Sequence, residues 1–251
     1  MSEPVETCAD ILIHSKLTIA LTGAGISVES GIPDFRSAEG LWATYDPAEY
    51  ATIQAFRSDP KKVWQMLQEM DKVVGDARPN PAHKGMGELE QMGLLHCVIT
   101  QNVDNLHQAG GSREVIEYHG NSSTLSCLWC GKQYRTEEKR NEIPPRCDCR
   151  NILKPDVIFF GEAIPEAAMR RSFELASSAE ALLVVGTSAV VSPANTIPSI
   201  VKRNGAKVIE INMERTHLTG TITDIFLKGP AGKIVPELVA AVKRQKGAGP
   251  S

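Results

Sequence analysis

No apolar run in this 251-residue chain reaches the roughly 18–20 residues that a membrane-spanning helix needs, so no membrane span is expected. Strong net charge is missing too. The 27 Lys and Arg against 30 Asp and Glu leave −3, which excludes a dominant, sequence-independent attraction to nucleic acid. The opening Met1-Ser2-Glu3-Pro4 is acidic and lacks the apolar centre of a secretory signal. There is no internal repeat, and low-complexity sequence is confined to the tail from Lys246 to Ser251. Cysteine is sparse, with six in all. A chain this long can bury a substantial core without disulfides. Cys8 and Cys97 stand alone, whereas Cys127, Cys130, Cys147 and Cys149 cluster. In the reducing, cytoplasmic setting expected here, clustered cysteines more often hold metal than form bridges.

What the chain does contain is a rhythm of strands and helices. Residues 5–15 carry a helical pattern, and Leu17 to Leu21 reads as a buried strand entering a glycine turn. Residues 61–74 place Val63, Met66, Leu67, Met70, Val73 and Val74 on one helical face, with Asp59 as N-cap and Pro60 in the first turn. Asn80-Pro81 opens a further helix that Gly93 should close. Strands are expected at 94–100, 115–119, 157–160, 181–186 and 207–212, and helices at 165–178, 194–204 and 232–246. This alternation implies a parallel sheet covered on both faces. Two segments break the rhythm, roughly 33–76 and 122–154, and could pack together as a second lobe.

Thr22-Gly23-Ala24-Gly25-Ile26-Ser27 is expected to join the first strand to a helix. Glycines there let backbone N–H groups approach a pyrophosphate, which a helix N-terminus also favours. A Gly-x-Gly turn alone is equally compatible with a simple tight turn. It also departs from the usual dinucleotide fingerprint, because Val28 stands in place of the third glycine. Asp46, about 20 residues on, does not read as the end of a second strand. A plain dehydrogenase is therefore disfavoured.

The residues that follow are more specific. Gly25-Ile26-Ser27-Val28-Glu29-Ser30-Gly31-Ile32-Pro33-Asp34-Phe35-Arg36, then Gly40-Leu41-Trp42, resemble the signature of the sirtuin family. Ser37 departs from the family's usual glycine. The resemblance runs on in order through Thr100-Gln101-Asn102-Val103-Asp104-Asn105-Leu106-His107, His119-Gly120, the four cysteines, Phe159-Phe160-Gly161-Glu162, Gly186-Thr187-Ser188 and Asn212. It implies a Rossmann-like NAD-binding domain over 1–32, 77–121 and 155–251, a helical insertion with a cofactor-binding loop over 33–76, and a zinc ribbon over 122–154. It also implies an enzyme that consumes NAD to remove an acyl group from protein lysine, releasing nicotinamide and O-acyl-ADP-ribose.

By that resemblance His119 is the general base, a role an imidazole can fill at neutral pH. Asn102 positions the ribose and a water, Asp104 accepts from the nicotinamide carboxamide, and Gln101 contacts ribose. Without the flanking motifs, His119 reads rather as a satisfied histidine ending a strand, and Asp104 as the N-cap that ends a polar turn. The remaining histidines, His14, His83, His96, His107 and His217, read as structural or surface residues. Gly23, Ala24, Gly25, Ser27, Asp34, Phe35, Arg36 and Trp42 are expected to line the dinucleotide, with Arg36 offering a fork to phosphate oxygens. Gly186, Thr187, Ser188, Asn212 and Ala231 are expected on the adenosine side. Val157, Phe159, Phe160, Gly161 and Glu162 form the implied substrate strand, where a lysine-bearing peptide could add by main-chain pairing.

Cys127-x2-Cys130 and Cys147-x-Cys149 suit tetrahedral Zn²⁺, and four protein ligands leave no open position, so the metal would be structural. The single residue inside the second pair is one fewer than most of the family has. Sirtuins that prefer acidic acyl groups carry a Tyr-x-x-Arg pair after a tryptophan. Aligned on Trp64, this chain has Leu67 and Met70, so apolar acyl groups are expected. The same NAD-cleaving site could instead pass ADP-ribose to protein or water. A non-enzymatic NAD or ADP-ribose sensor fits poorly with His119, Asn102, Asp104 and Arg36 together.

Overall fold

The computed structural model describes residues 3–35, 37, 38, 40–139 and 142–247. Nine strands are found among them: β1 (Thr18–Thr22), β2 (Cys97–Thr100), β3 (Val115–Glu117), β4 (Gly120–Cys127), β5 (Gln133–Arg135), β6 (Leu153–Val157), β7 (Ala181–Val185), β8 (Lys207–Asn212) and β9 (Ile225–Lys228). Six form one parallel sheet in the order β3-β2-β1-β7-β8-β9. The direction of winding reverses between β1 and β7. In an open α/β sheet that reversal opens a crevice at the carboxyl ends of the strands, where ligands bind.

The central strands β1, β2, β7 and most of β8 are buried on both faces and are largely apolar because neither face meets water, while the edge strands β3 and β9 are partly exposed. Ala20, Leu183, Val185, Ile209 and Ile211 face a core closed by the helices Glu3–His14, Pro81–Gln91 and Ala231–Gly247. Ile19, Leu21, Leu182, Val184 and Val208 face the other core, closed by Glu166–Ser178 and Ile197–Arg203. Each such Leu or Ile, fully buried, contributes roughly 1.5–3 kcal/mol.

β4 and β6 pair antiparallel, with β5 on the other edge of β4, to give a second, three-stranded sheet. Its core is shared. Leu125, Tyr134, Leu153, Val157 and Phe159 pack with Ile53, Phe56, Val63 and Trp64 from the helices Ile53–Ser58 and Pro60–Asp76. Trp64 Nε1 donates to the Leu153 carbonyl at 2.9 Å, joining the two inserted segments. No helix of the described residues is long and apolar enough to cross a membrane.

Several local expectations shift. The first strand is not followed by an α-helix but by two 3₁₀ turns, Ala24–Ile26 and Val28–Ser30. Leu94 and Leu95 are not strand. Their N–H groups return to the Leu89 carbonyl, closing the helix past Gly93, which has φ +72°. The strand expected over 157–160 lies instead at Leu153–Val157, in the small antiparallel sheet. Past Val157 the chain turns as Phe159 and Phe160 give their N–H groups to the Glu162 carboxylate and the Ala51 carbonyl. The helix expected over 194–204 begins as a 3₁₀ turn at Ala194–Thr196. β9 has no counterpart among the expected strands, and neither do the short helices Leu41–Thr44 and Pro47–Tyr50.

Candidate active site

The loops leaving β1, β2 and β7 meet at the crevice. Glycine is required where two of them cross. A Cβ on Gly25 would lie 2.8 Å from Gly186 Cα, and one on Gly23 would lie 2.8 Å from Thr187 Cβ. Gly186 itself has φ +60° and would meet Ile26 N at 2.3 Å. The Gly25 N–H donates to the Gly186 carbonyl at 2.8 Å. These glycines thus bring one loop onto the other, in addition to any approach of backbone to ligand.

Gln101 ties this arrangement together. Its Nε2 donates to the Thr22 carbonyl at 3.2 Å and to Thr187 Oγ1 at 2.9 Å. Its carbonyl lies 3.1 Å from His119 Nδ1. A carbonyl only accepts, so Nδ1 carries the proton and Nε2 keeps its lone pair. Burial pushes the His119 pKa below its ordinary value, with the Gln101 bond opposing, so the ring is neutral at pH 7. The following Gly120 has φ +74°, and a Cβ there would come within 2.0 Å of the Asp156 carbonyl, so β6 runs directly against the His-Gly step. The His119 carbonyl accepts from Ile158 N–H at 2.8 Å.

Asn102 and Asp104 are both buried. Asn102 Nδ2 donates to the Gly23 carbonyl at 3.2 Å and to Ser27 Oγ at 3.1 Å, which leaves its Oδ1 as the unused acceptor. Asp104 accepts from Ser27 Oγ at 2.6 Å through one oxygen and from Leu106 N–H at 2.9 Å through the other. Asp104 thus takes up the first N–H of the helix Leu106–Ala109, although Asn105 and not Asp104 stands at its N-cap.

His83 and His107 extend this network beneath the crevice and are fully buried, not surface residues. The Asn80 N–H donates to His83 Nδ1, so His83 Nε2 carries the proton and faces Ser27 Oγ at 3.4 Å. His107 Nε2 lies 2.9 Å from Thr22 Oγ1, and the two imidazoles stack edge to face at 5.0 Å. Burial pulls His83 to about 4, against the pull of Asp104, and His107 to about 3. Only their apolar surroundings could be read in the sequence, because the partners lie 56 and 85 residues away. His14, His96 and His217 are exposed.

The loop before the first insertion carries Phe35 stacked on Trp42 at 5.2 Å, and Trp42 reaches Phe160 at 6.4 Å. Asp34 accepts from the Ser37 N–H at 2.7 Å. Arg36 lies outside the described residues. On the far side Asn212 Nδ2 donates to the Thr187 carbonyl at 3.0 Å, joining β8 to the Gly186-Thr187-Ser188 turn. Ala231 is buried in the core at the start of its helix, where Gly232 N–H donates to Glu29 at 2.6 Å. Of the substrate-strand residues, Val157 and Phe159 are buried, Phe160 and Gly161 are exposed, and Glu162 is half-buried. Leu67 packs against the core that holds Val157 and Phe159, and Met70 is half-buried one turn on.

The four clustered cysteines converge, with all Sγ atoms within 4.8 Å of one another. Cys127 and Cys149, and likewise Cys130 and Cys147, are 3.5 Å apart. Thiolates at ~2.3 Å from one tetrahedral ion stand about 3.8 Å apart, so the group can hold a metal. The short Cys147-x-Cys149 turn closes because Arg150 adopts φ +70° and donates its N–H to the Cys147 carbonyl at 2.7 Å.

The sequence model of the Sir2 family matches residues 23–193. An NAD-dependent protein deacylase 2 of Pyrobaculum aerophilum is 49% identical over 238 residues, covering 94% of this chain and 95% of that protein. This chain belongs to the Sir2 family. An NAD-dependent protein deacylase of Thermococcus kodakarensis is 47% identical over 94% of each chain. Among solved structures, a Sir2 homolog–NAD complex aligns at TM-score 0.89 with 44% identity, covering 96% of this chain and 94% of that one. A Sir2 enzyme bound to a myristoylated histone peptide aligns at TM-score 0.84 with 38% identity, covering 98% and 99%. The Sir2 fold therefore spans the large sheet and the cysteine-bearing insertion alike.

Proposed function

We infer that this chain is an NAD-dependent protein-lysine deacylase that releases nicotinamide, the free lysine and O-acyl-ADP-ribose. The observation that carries the reading is the His119 ring, neutral, its Nδ1 held by the Gln101 carbonyl and its Nε2 without a hydrogen-bond partner among the described residues, beside the Asn102–Asp104 loop at the crevice. NAD is the co-substrate. Gly23, Ala24, Gly25, Ser27, Asp34, Phe35, Arg36 and Trp42 hold its nicotinamide and phosphate side, and Gly186, Thr187, Ser188, Asn212 and Ala231 its adenosine side. Asp104, already aligned by Ser27, presents a carboxylate to the nicotinamide carboxamide, and Asn102 Oδ1 and Gln101 face the ribose. The acyl oxygen attacks ribose C1′ as nicotinamide leaves, and Phe35 shields that face from water. His119 Nε2 then takes the proton of a ribose hydroxyl, which attacks the acyl carbon. The lysine amine leaves from that carbon with a proton, and water adds there as the bond to the C1′ oxygen breaks, giving O-acyl-ADP-ribose.

The acyl-lysine peptide lies along Val157, Phe159, Phe160, Gly161 and Glu162. The N–H groups of Ile158, Phe159, Phe160 and Glu162 are already paired within the protein, so fewer main-chain groups remain for the peptide than a free strand edge would offer. Leu67 and Met70 give the acyl side an apolar lining, in keeping with the myristoylated peptide bound by the related enzyme. The reading assigns NAD binding to 1–32, 77–121 and 155–251, with 33–76 and 122–154 as insertions. It gives the four cysteines a structural Zn²⁺, which suits a reducing, cytoplasmic setting.

Mass spectrometry of an acetyl-lysine peptide with and without NAD tests the reaction. Deacetylation only with NAD, together with O-acetyl-ADP-ribose, is expected. Free ADP-ribose or ADP-ribosylated protein in its place would replace this reading with NAD hydrolysis or ADP-ribosyl transfer. His119→Ala should lower kcat/KM roughly 100- to 10,000-fold while leaving ADP-ribose binding in place.

A further inference from the structure

We propose that Lys154 is a positioning residue for the peptide substrate, its buried ammonium shaping the Val157–Glu162 segment along which the acyl-lysine chain lies. This rests on the deacylase reading. Lys154 sits on β6 with only 5% of its surface exposed, and neither the NAD chemistry nor the cysteine cluster uses it. A buried ammonium has three protons that need acceptors. Lys154 Nζ finds all three close by: the Pro155 carbonyl at 3.0 Å, the Val157 carbonyl at 2.8 Å and Glu162 Oε2 at 2.9 Å. The Phe159 ring covers it at 4.7 Å.

The same Glu162 oxygen accepts the Phe159 N–H at 2.8 Å. Two turns of chain are therefore wrapped around one charge, 154–157 from one side and 159–162 from the other. This wrapping accompanies the end of β6 at Val157. It sets Phe159 inward and Phe160 outward beside Trp42, where Phe160 bonds to the main chain of Ala51 and Ile53. Glu162, expected to touch substrate, is engaged with Lys154 instead, so its effect on substrate passes through the shape of the segment.

Stability alone does not account for the pair. Buried ion pairs can often be replaced by apolar groups of similar volume at little cost. An apolar side chain at 154 would, however, free the Val157 carbonyl and the Glu162 carboxylate and let the segment relax.

The test uses the full, zinc-loaded chain with Lys154→Met, Lys154→Arg and Glu162→Gln. Both Lys154→Met and Glu162→Gln should raise KM for an acetyl-lysine peptide about tenfold, the scale of a lost charged hydrogen bond. The Kd for ADP-ribose should move less than about twofold, and Lys154→Arg, which keeps the charge and its donors, should recover most of the peptide KM. Unchanged peptide KM in the variants overturns the proposal, as does a parallel loss of ADP-ribose affinity, which would mark a general structural role. If Lys154→Met fails to fold, Glu162→Gln decides alone. A wild-type chain that removes no acetyl group defeats the deacylase reading itself, whereas an active wild type with unmoved KM in the variants defeats only this assignment.

Discussion

The two sheets are held by different physics. The large sheet is clamped between two apolar cores, and Ile19, Leu21, Leu182, Leu183, Val184, Val185 and Ile209 are completely buried within it. The small sheet has three strands, and much of its core is lent by the helices Ile53–Ser58 and Pro60–Asp76. Its far end is organised by polar and sulfur chemistry: the four cysteines, Asp148 paired with Lys132 and Lys139, and both of those lysines over the Tyr134 ring. The large sheet is held by apolar burial on both faces, whereas the small one draws on a shared core and on the cluster of four cysteines. His119 sits where the two meet, since β3 ends just before it and β4 begins just after it.

The sharpest way to break this comparison is to challenge the proposed zinc site. Zinc is expected on metal analysis, and chelation or Cys130→Ser should remove it and cost several kcal/mol. Hydrogen exchange should show protection lost across β4, β5 and β6 while β1, β7 and β8 keep theirs. Equal loss in both sheets would mean that they unfold as one unit.

A smaller effect should appear in the large sheet alone. His83 and His107 are held neutral by burial, at about 4 and about 3. The unfolded chain takes up protons near pH ~6.5, so it binds more protons than the folded one just below that value. Their contribution is complete above ~6.5 and is lost as pH falls through 6.5 toward the folded values. For His83 the gap of about 2.5 units corresponds to at most about 3 kcal/mol. Urea unfolding between pH 7 and 5 at saturating zinc should show this slope, and His83→Gln should remove its share and leave that of His107.

The smallest expected effect concerns acyl choice, which the proposed function places at Leu67 and Met70 on the inserted helix. Joint Leu67→Tyr and Met70→Arg substitution should raise the succinyl- over acetyl-lysine ratio of kcat/KM by about tenfold, through an arginine–carboxylate pair. A wild-type enzyme that already prefers succinyl-lysine would refute the apolar lining.

Much of the large sheet was legible. Apolar runs bounded by glycine located β1, β7 and β8, and Asp59-Pro60 and Asn80-Pro81 marked two helix starts whose caps are formed as expected. β9 was missed because Ile225-Phe226-Leu227-Lys228 is a short edge strand with little pattern. The segment past Val157 looked like strand because its residues are β-formers. It turns as Lys154 and Glu162, which flank that run, engage its main chain, and β propensity does not report on such side-chain-to-main-chain bonds. The same limit hid the depth of His83 and His107, whose partners lie on other elements.

The sequence by itself determined the central strands of the large sheet and the helices that cover it, the glycine turn, the spacing of the four cysteines and the membership of His119, Asn102 and Asp104 in one motif set. These depend on periodicity and on residue chemistry along the chain. Only the tertiary structure decided that Gly25 and Gly186 press two loops together, that Gln101 orients His119 through its main chain, and that Lys154 gathers the segment after β6. Those outcomes follow from steric fit and hydrogen bonding between residues far apart in the chain, which become neighbours only when the sheet forms.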